Sequence, residues 1–486
     1  MITTSFQSPF TFVIFGGSGD NSYQKIYPAL YDIAEKGLLP KDFAIVATGR
    51  KYTQEEFFDF FQHSLTSDNR HHKHSIDNDF FRVLKDHIYF FPGDNTTFDF
   101  YKQLNEYLND LIKKGQPCGN RLFYLGLPQT LYPTVFDNLK KSGLHRSPCG
   151  WTRILVEKPI GDDVASARKY NKIFTSVFDE EQIFRLDHYL GKETLENVLA
   201  FRFENSIFEH LLNKKHLDSI QITAAENFGI AKRGKFYDLT GALKDVGQNH
   251  LLQMVALATM ERPKDNTDRA IVQSRMNLIR KLRANPSDVV YGQYSKGSIN
   301  GVEAVSYKNE DFIPKNSTTD TFFALKARIN SKRFEGVPIY IRAGKQLETW
   351  VTEINYIFKN KKFGENVLTI RVQPNEGIAF KILTKKPGYD KTLEQTLMQF
   401  CYKHYFASQT FDAYEKLIQD AFAGKHTSFN VSKEIEAQWK FIDHLSASRT
   451  PVRLYKAGSW GPKEADELLR KDGRSWIEPY GAFCQI

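Results

Sequence analysis

Between residues 10 and 200 two kinds of hydrophobic pattern take turns. TFVIF, FAIVAT, HIYFF, RLFYLGL and RILVEK are short apolar runs, and between them lie longer stretches with helical spacing, as at Ile26, Leu30, Ile33 and Ala34. A continuous apolar run of this length suits a strand covered on both faces, and alternation with helices predicts βαβ units in a doubly wound, parallel α/β sheet. Ligands of such sheets sit at the carboxyl ends of the strands. After about residue 190 the texture changes to longer helical stretches, followed by FFALKARI, PIYIRAG, EINYIFK and VLTIRVQ. That predicts a second, α+β region with a mixed, largely antiparallel sheet, its helical arm including residues 241–260 and 413–423.

The first strand runs into GGSGDNS, and Gly17-Ser18-Gly19-Asp20-Asn21-Ser22 has the spacing GxGxxS. In a dinucleotide fingerprint Gly17 permits the tight turn, Gly19 admits a pyrophosphate to the backbone, and a small third residue, here Ser22, keeps helix and strand close. The helix N-terminus then offers N–H groups and a positive dipole end to the phosphates. A plain tight turn uses the same glycines, but the strand before and the helix after favour a cofactor. The second strand ends at Arg50 and Lys51, where an NAD enzyme usually places an acidic residue for the ribose 2′-hydroxyl. Paired cations suit a 2′-phosphate, so NADP is expected, with NAD possible; a solvated turn is the other reading.

At 486 residues the chain exceeds a usual single core, and two to four domains are expected. Its 41% hydrophobic and 25% charged residues are ordinary for a globular protein and argue against disorder. The net charge of +9 is spread along the chain with no long Lys/Arg block, so a nucleic-acid partner is not expected. No run of about 18 apolar residues suggests a membrane span, and the N-terminus does not read as an export signal, so a cytoplasmic protein is expected. Cys118, Cys149, Cys401 and Cys484 lie far apart without a CxxC pair, which indicates neither a zinc site nor a disulfide framework and fits a reducing compartment.

Three stretches are chemically dense. In VEKPIGDD, residues 156–163, Pro159 keeps Lys158 out of helical geometry, so its ammonium is able to enter a cleft; an exposed loop lysine is the alternative. In FRLDHYLGKE, residues 184–193, Asp187, His188, Tyr189 and Lys192 gather an anion, an imidazole, a phenol and an ammonium near a helix start. A cation there opposes the helix dipole, a conflict that a bound phosphate resolves; a salt-bridged helix entry is the alternative. In residues 240–263, Leu243, Val246, His250, Met254 and Leu257 share one helical stripe, so His250 faces inward, either as a core histidine or in a polar cleft with Asp245, Gln248 and Asn249. At α-helical winding Asp245 and His250 project roughly 140° apart.

GGSGDxxxxKIYPALY, EKPIG, RLDHYLGKE, DVGQNHLLQM, FEGVPIYIRAGK, RVQPNE, AYEKLIQDAFAG and GSWGPKEAD occur in that order, and with them the chain resembles the glucose-6-phosphate dehydrogenase family from about residue 10 to 476. The resemblance implies a Rossmann domain over 1–187 and a larger substrate-binding and oligomerisation domain over 188–486. It implies oxidation of D-glucose 6-phosphate to 6-phosphogluconolactone, the first step of the oxidative pentose phosphate pathway, by a homodimer or homotetramer that needs no metal. His250 is then the general base and Asp187 the carboxylate that stabilises its imidazolium. His188, Tyr189 and Lys192 make the phosphate pocket, with Tyr414 reaching the same phosphate. Glu226, Asp245, Lys158 and Lys345 contact the sugar, Lys158 touches the cofactor too, and Asp94 and Asn95 border the nucleotide beside Gly17, Ser18, Gly19, Asp20, Arg50 and Lys51.

Departures from the family pattern are Asn21 and Ser22 where Leu-Ala is usual, and Lys51 where Gln or Ser is frequent. Arg371 matches part of a second, structural NADP site of longer relatives, which is not expected here. The rival readings are a dehydrogenase of another sugar, which DHYLGKE argues against, and a catalytically silent nucleotide- or nucleic-acid-binding protein, which His250 and Asp187 argue against.

Overall fold

The computed structural model describes residues 8–66, 78–116, 118–359, 364–389, 391–406, 411–481 and 483–484. It divides into two compact units: residues 1–161, 165–191 and 411–435 form the first, and 162–164, 192–410 and 436–486 the second.

The first unit holds a parallel sheet of β1 (Phe10–Phe15), β2 (Phe43–Gly49), β3 (Ile88–Pro92), β4 (Asn120–Leu125), β5 (Thr152–Val156) and β6 (Ile183–Leu186). Their spatial order is β6-β5-β4-β1-β2-β3, and a short strand, Phe429–Asn430, runs antiparallel to β6 at the edge. Every residue of β4 is buried, Asn120 and Arg121 at its start included, as is all of β1 except partly buried Thr11, which is why the rest of each strand reads as an apolar run. Parallel register places the loops after β1, β2, β3, β5 and β6 on one rim, and those loops carry the glycines, Arg50, Asp94, Lys158 and Asp187.

The helix Ala413–Ala423 was expected in the second region and belongs to the first unit. Its Tyr414, Leu417, Ile418, Ala421 and Phe422 join the core formed by β1, β2 and the helix Tyr27–Glu35, with the Phe422 ring 4.2 Å from that of Phe10. Arg153 on β5 donates to the terminal carbonyls of Ala421 and Phe422 at 2.8 and 2.6 Å, a cation at the negative end of the helix. An amphipathic stripe specifies that a helix packs, not which sheet it packs on. The compact units therefore differ from a division at 187/188 here, in residues 162–164 and in residues 188–191.

The second unit is built on a nine-stranded mixed sheet in the order Leu393–Cys401, Gly377–Lys385, Val367–Gln373, Val351–Phe358, Leu217–Ala225, Ile339–Gly344, Phe322–Ile329, Leu282–Ser295, Arg453–Lys456. Two of its pairings are parallel, Leu217–Ala225 with Ile339–Gly344 and Leu282–Ser295 with Arg453–Lys456; the others are antiparallel. Among the described residues no helix is long and apolar enough to cross a membrane.

Against expectation, all four cysteines are paired, Cys118 with Cys149 and Cys401 with Cys484. The first pair follows from register. Arg121 lies opposite Thr152 across β4 and β5, and each cysteine stands three positions before its strand partner. Spacing along the chain conceals such a pair, and the cysteines no longer argue for a reducing compartment.

Candidate active site

In the first unit the glycine turn is tighter than its motif suggests. The left-handed residue is Gly16, with φ +77°, and not Gly17; a Cβ on Gly16 would lie 2.4 Å from the Gly126 carbonyl oxygen. Gly17 is needed for packing, since its Cβ would come within 2.8 Å of Ala47 Cβ. Its N–H donates to the Thr48 carbonyl at 2.8 Å, and its own carbonyl accepts from the Tyr27 hydroxyl. A Cβ on Gly19 meets only the Gly16 carbonyl oxygen among the described residues, at 3.1 Å, so the backbone there stays approachable. Ser22, fully buried, donates its hydroxyl to the Gly16 carbonyl at 3.0 Å and fastens the first helical turn to the loop, a task beyond being small. That turn, Ser22–Ile26, is π-wound, and Asp20 is exposed at its approach.

Arg50 and Lys51 are exposed directly after β2, and the side chain of Ser18 approaches so closely that a Cβ on Gly49 would lie 2.7 Å from its Oγ. Asp94 follows β3; its carboxylate accepts from the Thr96 N–H at 3.0 Å and hydroxyl at 2.8 Å, and these bonds, with a smaller contribution from Arg50, lower its pKa. The Asn95 carbonyl accepts from Tyr101. Lys158 follows β5 at a cis Lys158–Pro159 peptide.

Asp187, 1% exposed, follows β6 and folds the chain back: its Oδ1 accepts from the Tyr189 N–H at 3.0 Å and its carbonyl from the Leu190 N–H at 2.9 Å. His188 projects beside Tyr189 and lies nearly parallel to the Tyr414 ring, 19° off at 6.4 Å. Two residues absent from the sequence-based site join this group. Lys25 holds its ammonium 5.0 Å from the centre of the Tyr414 ring, and Glu157 accepts from the Tyr414 hydroxyl at 3.1 Å. KIYPALY and VEKPIG contain both, but each also reads as ordinary helix or strand-end polarity.

In the second unit, Lys192 begins the helix Glu193–Glu204, its carbonyl accepting from the Leu195 and Glu196 N–H groups at 3.0 and 3.1 Å. Glu193 and Glu196 supply negative charge to that first turn. Glu226 and Lys345 each follow a strand end, and because Ala225 and Gly344 are paired in parallel register the two side chains stand together as an ion pair. Lys345 is 5% exposed and lies 5.3 Å from the Tyr237 ring and 5.5 Å from that of Phe228. Burial, with Asp245 and Asp320 nearby, raises the Tyr237 hydroxyl pKa well above its ordinary value.

His250 is 3% exposed, on a segment whose winding differs from expectation. Leu243–Leu251 is a π-helix, continued by the α-helix Leu252–Thr259. With i→i+5 bonding the chain turns less per residue, so Asp245 and His250 project closer together than α-winding would set them. Asp245 accepts from Arg233 at 3.2 Å, and the Asn249 side chain bridges the Asp245 carbonyl, at 3.0 Å, and the His250 N–H, at 2.6 Å. Arg371 is engaged by Glu353 at 2.9 Å and by the Phe483 ring at 4.5 Å.

Comparison with known proteins covers nearly the whole chain. The family model for the glucose-6-phosphate dehydrogenase NAD binding domain matches residues 13–197, and that for the C-terminal domain of the same enzyme matches 199–477. Glucose-6-phosphate 1-dehydrogenase 2 of Mycobacterium tuberculosis is 38% identical, covering 97% of this chain and 95% of its own. Glucose-6-phosphate 1-dehydrogenase of Bacillus subtilis is 37% identical over 97% of this chain and 99% of its own. A solved glucose-6-phosphate dehydrogenase in complex with glucose 6-phosphate superposes with TM-score 0.90 at 30% identity, covering 98% of this chain and 100% of the other. With both halves matched and fold and order preserved, the chain belongs to the glucose-6-phosphate dehydrogenase family.

Proposed function

We infer that this protein oxidises D-glucose 6-phosphate at C1 to 6-phospho-D-glucono-1,5-lactone with a nicotinamide dinucleotide, NADP+ being preferred, and so opens the oxidative pentose phosphate pathway. What carries this reading is the full-length family match together with a buried histidine on a helical segment that also carries Asp245, Gln248 and Asn249. The approachable backbone at Gly19 and the loop at the end of β1 fit a pyrophosphate, and Arg50 and Lys51 fit a 2′-phosphate. When bound, the nicotinamide supplies the acceptor for the hydride that leaves C1.

His250 takes the proton of the C1 hydroxyl as that carbon is oxidised, and the C1–O bond becomes the lactone carbonyl. Asp187 supplies the negative charge that favours the resulting imidazolium. His188, Tyr189 and Lys192 hold the substrate phosphate, with Tyr414 beside it, while Lys158, Glu226, Asp245 and Lys345 fix the sugar hydroxyls. A well-placed pair such as Glu226 and Lys345 discriminates between sugars, because one lacking the matching hydroxyl forfeits a hydrogen bond to a charged partner.

The active species is a homodimer or homotetramer. Support comes from the outermost ribbon of the second unit's sheet, where Leu393 and Met398 are 43% and 59% exposed on an edge strand, a surface that a second copy is able to cover. Both reactants are multiply charged and do not cross membranes unaided, which favours a cytoplasmic place of action.

Steady-state assays with glucose 6-phosphate and free glucose, each with NADP+ and with NAD+, test the reaction on the native chain and on His250→Asn. Turnover is expected with the phosphorylated sugar, and the substitution should lower kcat about 10²–10⁴-fold. Near-normal turnover of His250→Asn would remove the base assignment, and preference for free glucose would remove the substrate.

A further inference from the structure

We propose that Glu157 is a positioning residue for the substrate-phosphate pocket, its carboxylate fixing the Tyr414 ring against which His188 and Lys25 are set; this rests on the assignment of His188 and Tyr414 to the sugar phosphate. Glu157 follows β5 directly and is 7% exposed. A buried carboxylate is costly unless donors satisfy it. Here Oε1 accepts from the Tyr124 hydroxyl at 2.9 Å and from the Tyr414 hydroxyl at 3.1 Å, while the Glu157 carbonyl accepts from Tyr132 at 3.2 Å.

The donors come from distant parts of the chain. Tyr124 lies on β4, the neighbouring strand, and Tyr414 in the first turn of the helix Ala413–Ala423, 257 residues beyond Glu157. One carboxylate oxygen thus ties that helix start to the central sheet. The start is further ordered by a capping box in which Asp412 accepts from the Tyr414 N–H at 2.8 Å and Glu415 accepts from the Asp412 N–H at 3.0 Å.

Tyr414 consequently has little conformational choice. Burial and the adjacent Glu157 charge push its hydroxyl pKa well above 10, so the phenol stays protonated. A phenol has one proton to donate, and Glu157 receives it. Tyr414 therefore shapes the phosphate pocket through its ring, which lies under the Lys25 ammonium at 5.0 Å and alongside His188 at 6.4 Å, rather than as the phosphate's hydrogen-bond donor. Loss of the Glu157 contact frees the ring to turn and loosens both neighbours at once.

The test is a cycle of Glu157→Ala, which leaves no acceptor for the phenol, Tyr414→Phe and the double substitution, with His188→Ala as a separate arm, each assayed for KM of glucose 6-phosphate, KM of NADP+, kcat and thermal midpoint. Each single substitution in the cycle should raise KM for glucose 6-phosphate about 3–10-fold, the range for one lost hydrogen bond, with KM for NADP+ changed less than about twofold. The double substitution should be no worse than the more severe single one, because both remove the same contact. Additive losses, or parallel rises in both KM values with a lowered midpoint, would show that Glu157 merely supports the fold and overturn the proposal. Tyr414→Phe keeps the ring buried, so the proposal stays falsifiable even where Glu157→Ala folds poorly. If His188→Ala raises KM for glucose 6-phosphate while the cycle variants do not, the Glu157 role alone fails; if His188→Ala leaves it unchanged, the phosphate assignment fails.

Discussion

Arg50 and Lys51 owe their place to a strand that stops one residue earlier. β2 ends at Gly49, where a Cβ would meet Ser18 Oγ at 2.7 Å and oblige that side chain to turn, and the next two side chains emerge exposed at the rim of the first unit's sheet. Charge-assisted contacts to a 2′-phosphate contribute about 1.5–3 kcal/mol each where water is partly excluded, so Arg50→Ala should raise KM for NADP+ at least about tenfold and leave KM for NAD+ nearly unchanged. Initial-rate measurements with the two cofactors decide it, and equal effects on both would assign the pair to solvent. At this scale the sequence was partly legible. The paired cations and Asp187 stand out because their chemistry is unusual at a strand end, whereas the left-handed turn at Gly16 is hidden among neighbouring glycines, any of which tolerates positive φ.

The segment Leu243–Leu251 shows what an element adds to its residues. Leu243, Val246 and His250 fit an α-helical stripe, and nothing in that spacing announces a wider coil. The winding is set by packing: Asp320 accepts from the Leu243 N–H at 2.9 Å at the start, and Gly247 lies so close to the strand Phe322–Ile329 that a Cβ would come within 2.9 Å of Phe323 Cζ. Gly247→Ala should therefore cost about 1–3 kcal/mol of stability by overpacking, and kcat should fall with it because the displaced turn lies between Asp245 and His250. Denaturant titration beside a turnover assay checks both, and native values for each would mean that the helix shifts without consequence. The parallel strands, by contrast, were readable in outline, since double-sided burial leaves mostly apolar residues in β1 and in β4 after Arg121.

At the scale of the whole molecule, pairings between distant parts of the chain were the least legible. The two disulfides close loops of 31 and 83 residues, and cross-links of that span restrict the unfolded chain by about 3–5 kcal/mol each. The thermal midpoint should drop when dithiothreitol is added, and Cys118→Ser should show part of the same drop without reductant; melting curves that superimpose would mean the thiols are not joined in solution. The return of residues 411–435 to the first unit has a different consequence, which concerns synthesis. The helix that covers Phe10 and Phe12 reaches the ribosome exit only after every residue from 192 to 410 has been made. At about 5–20 residues per second the nascent sheet must wait on the order of 10–45 s with that flank uncovered. Until the late helix arrives, this half of the protein is a substrate for chaperones and a target for proteases.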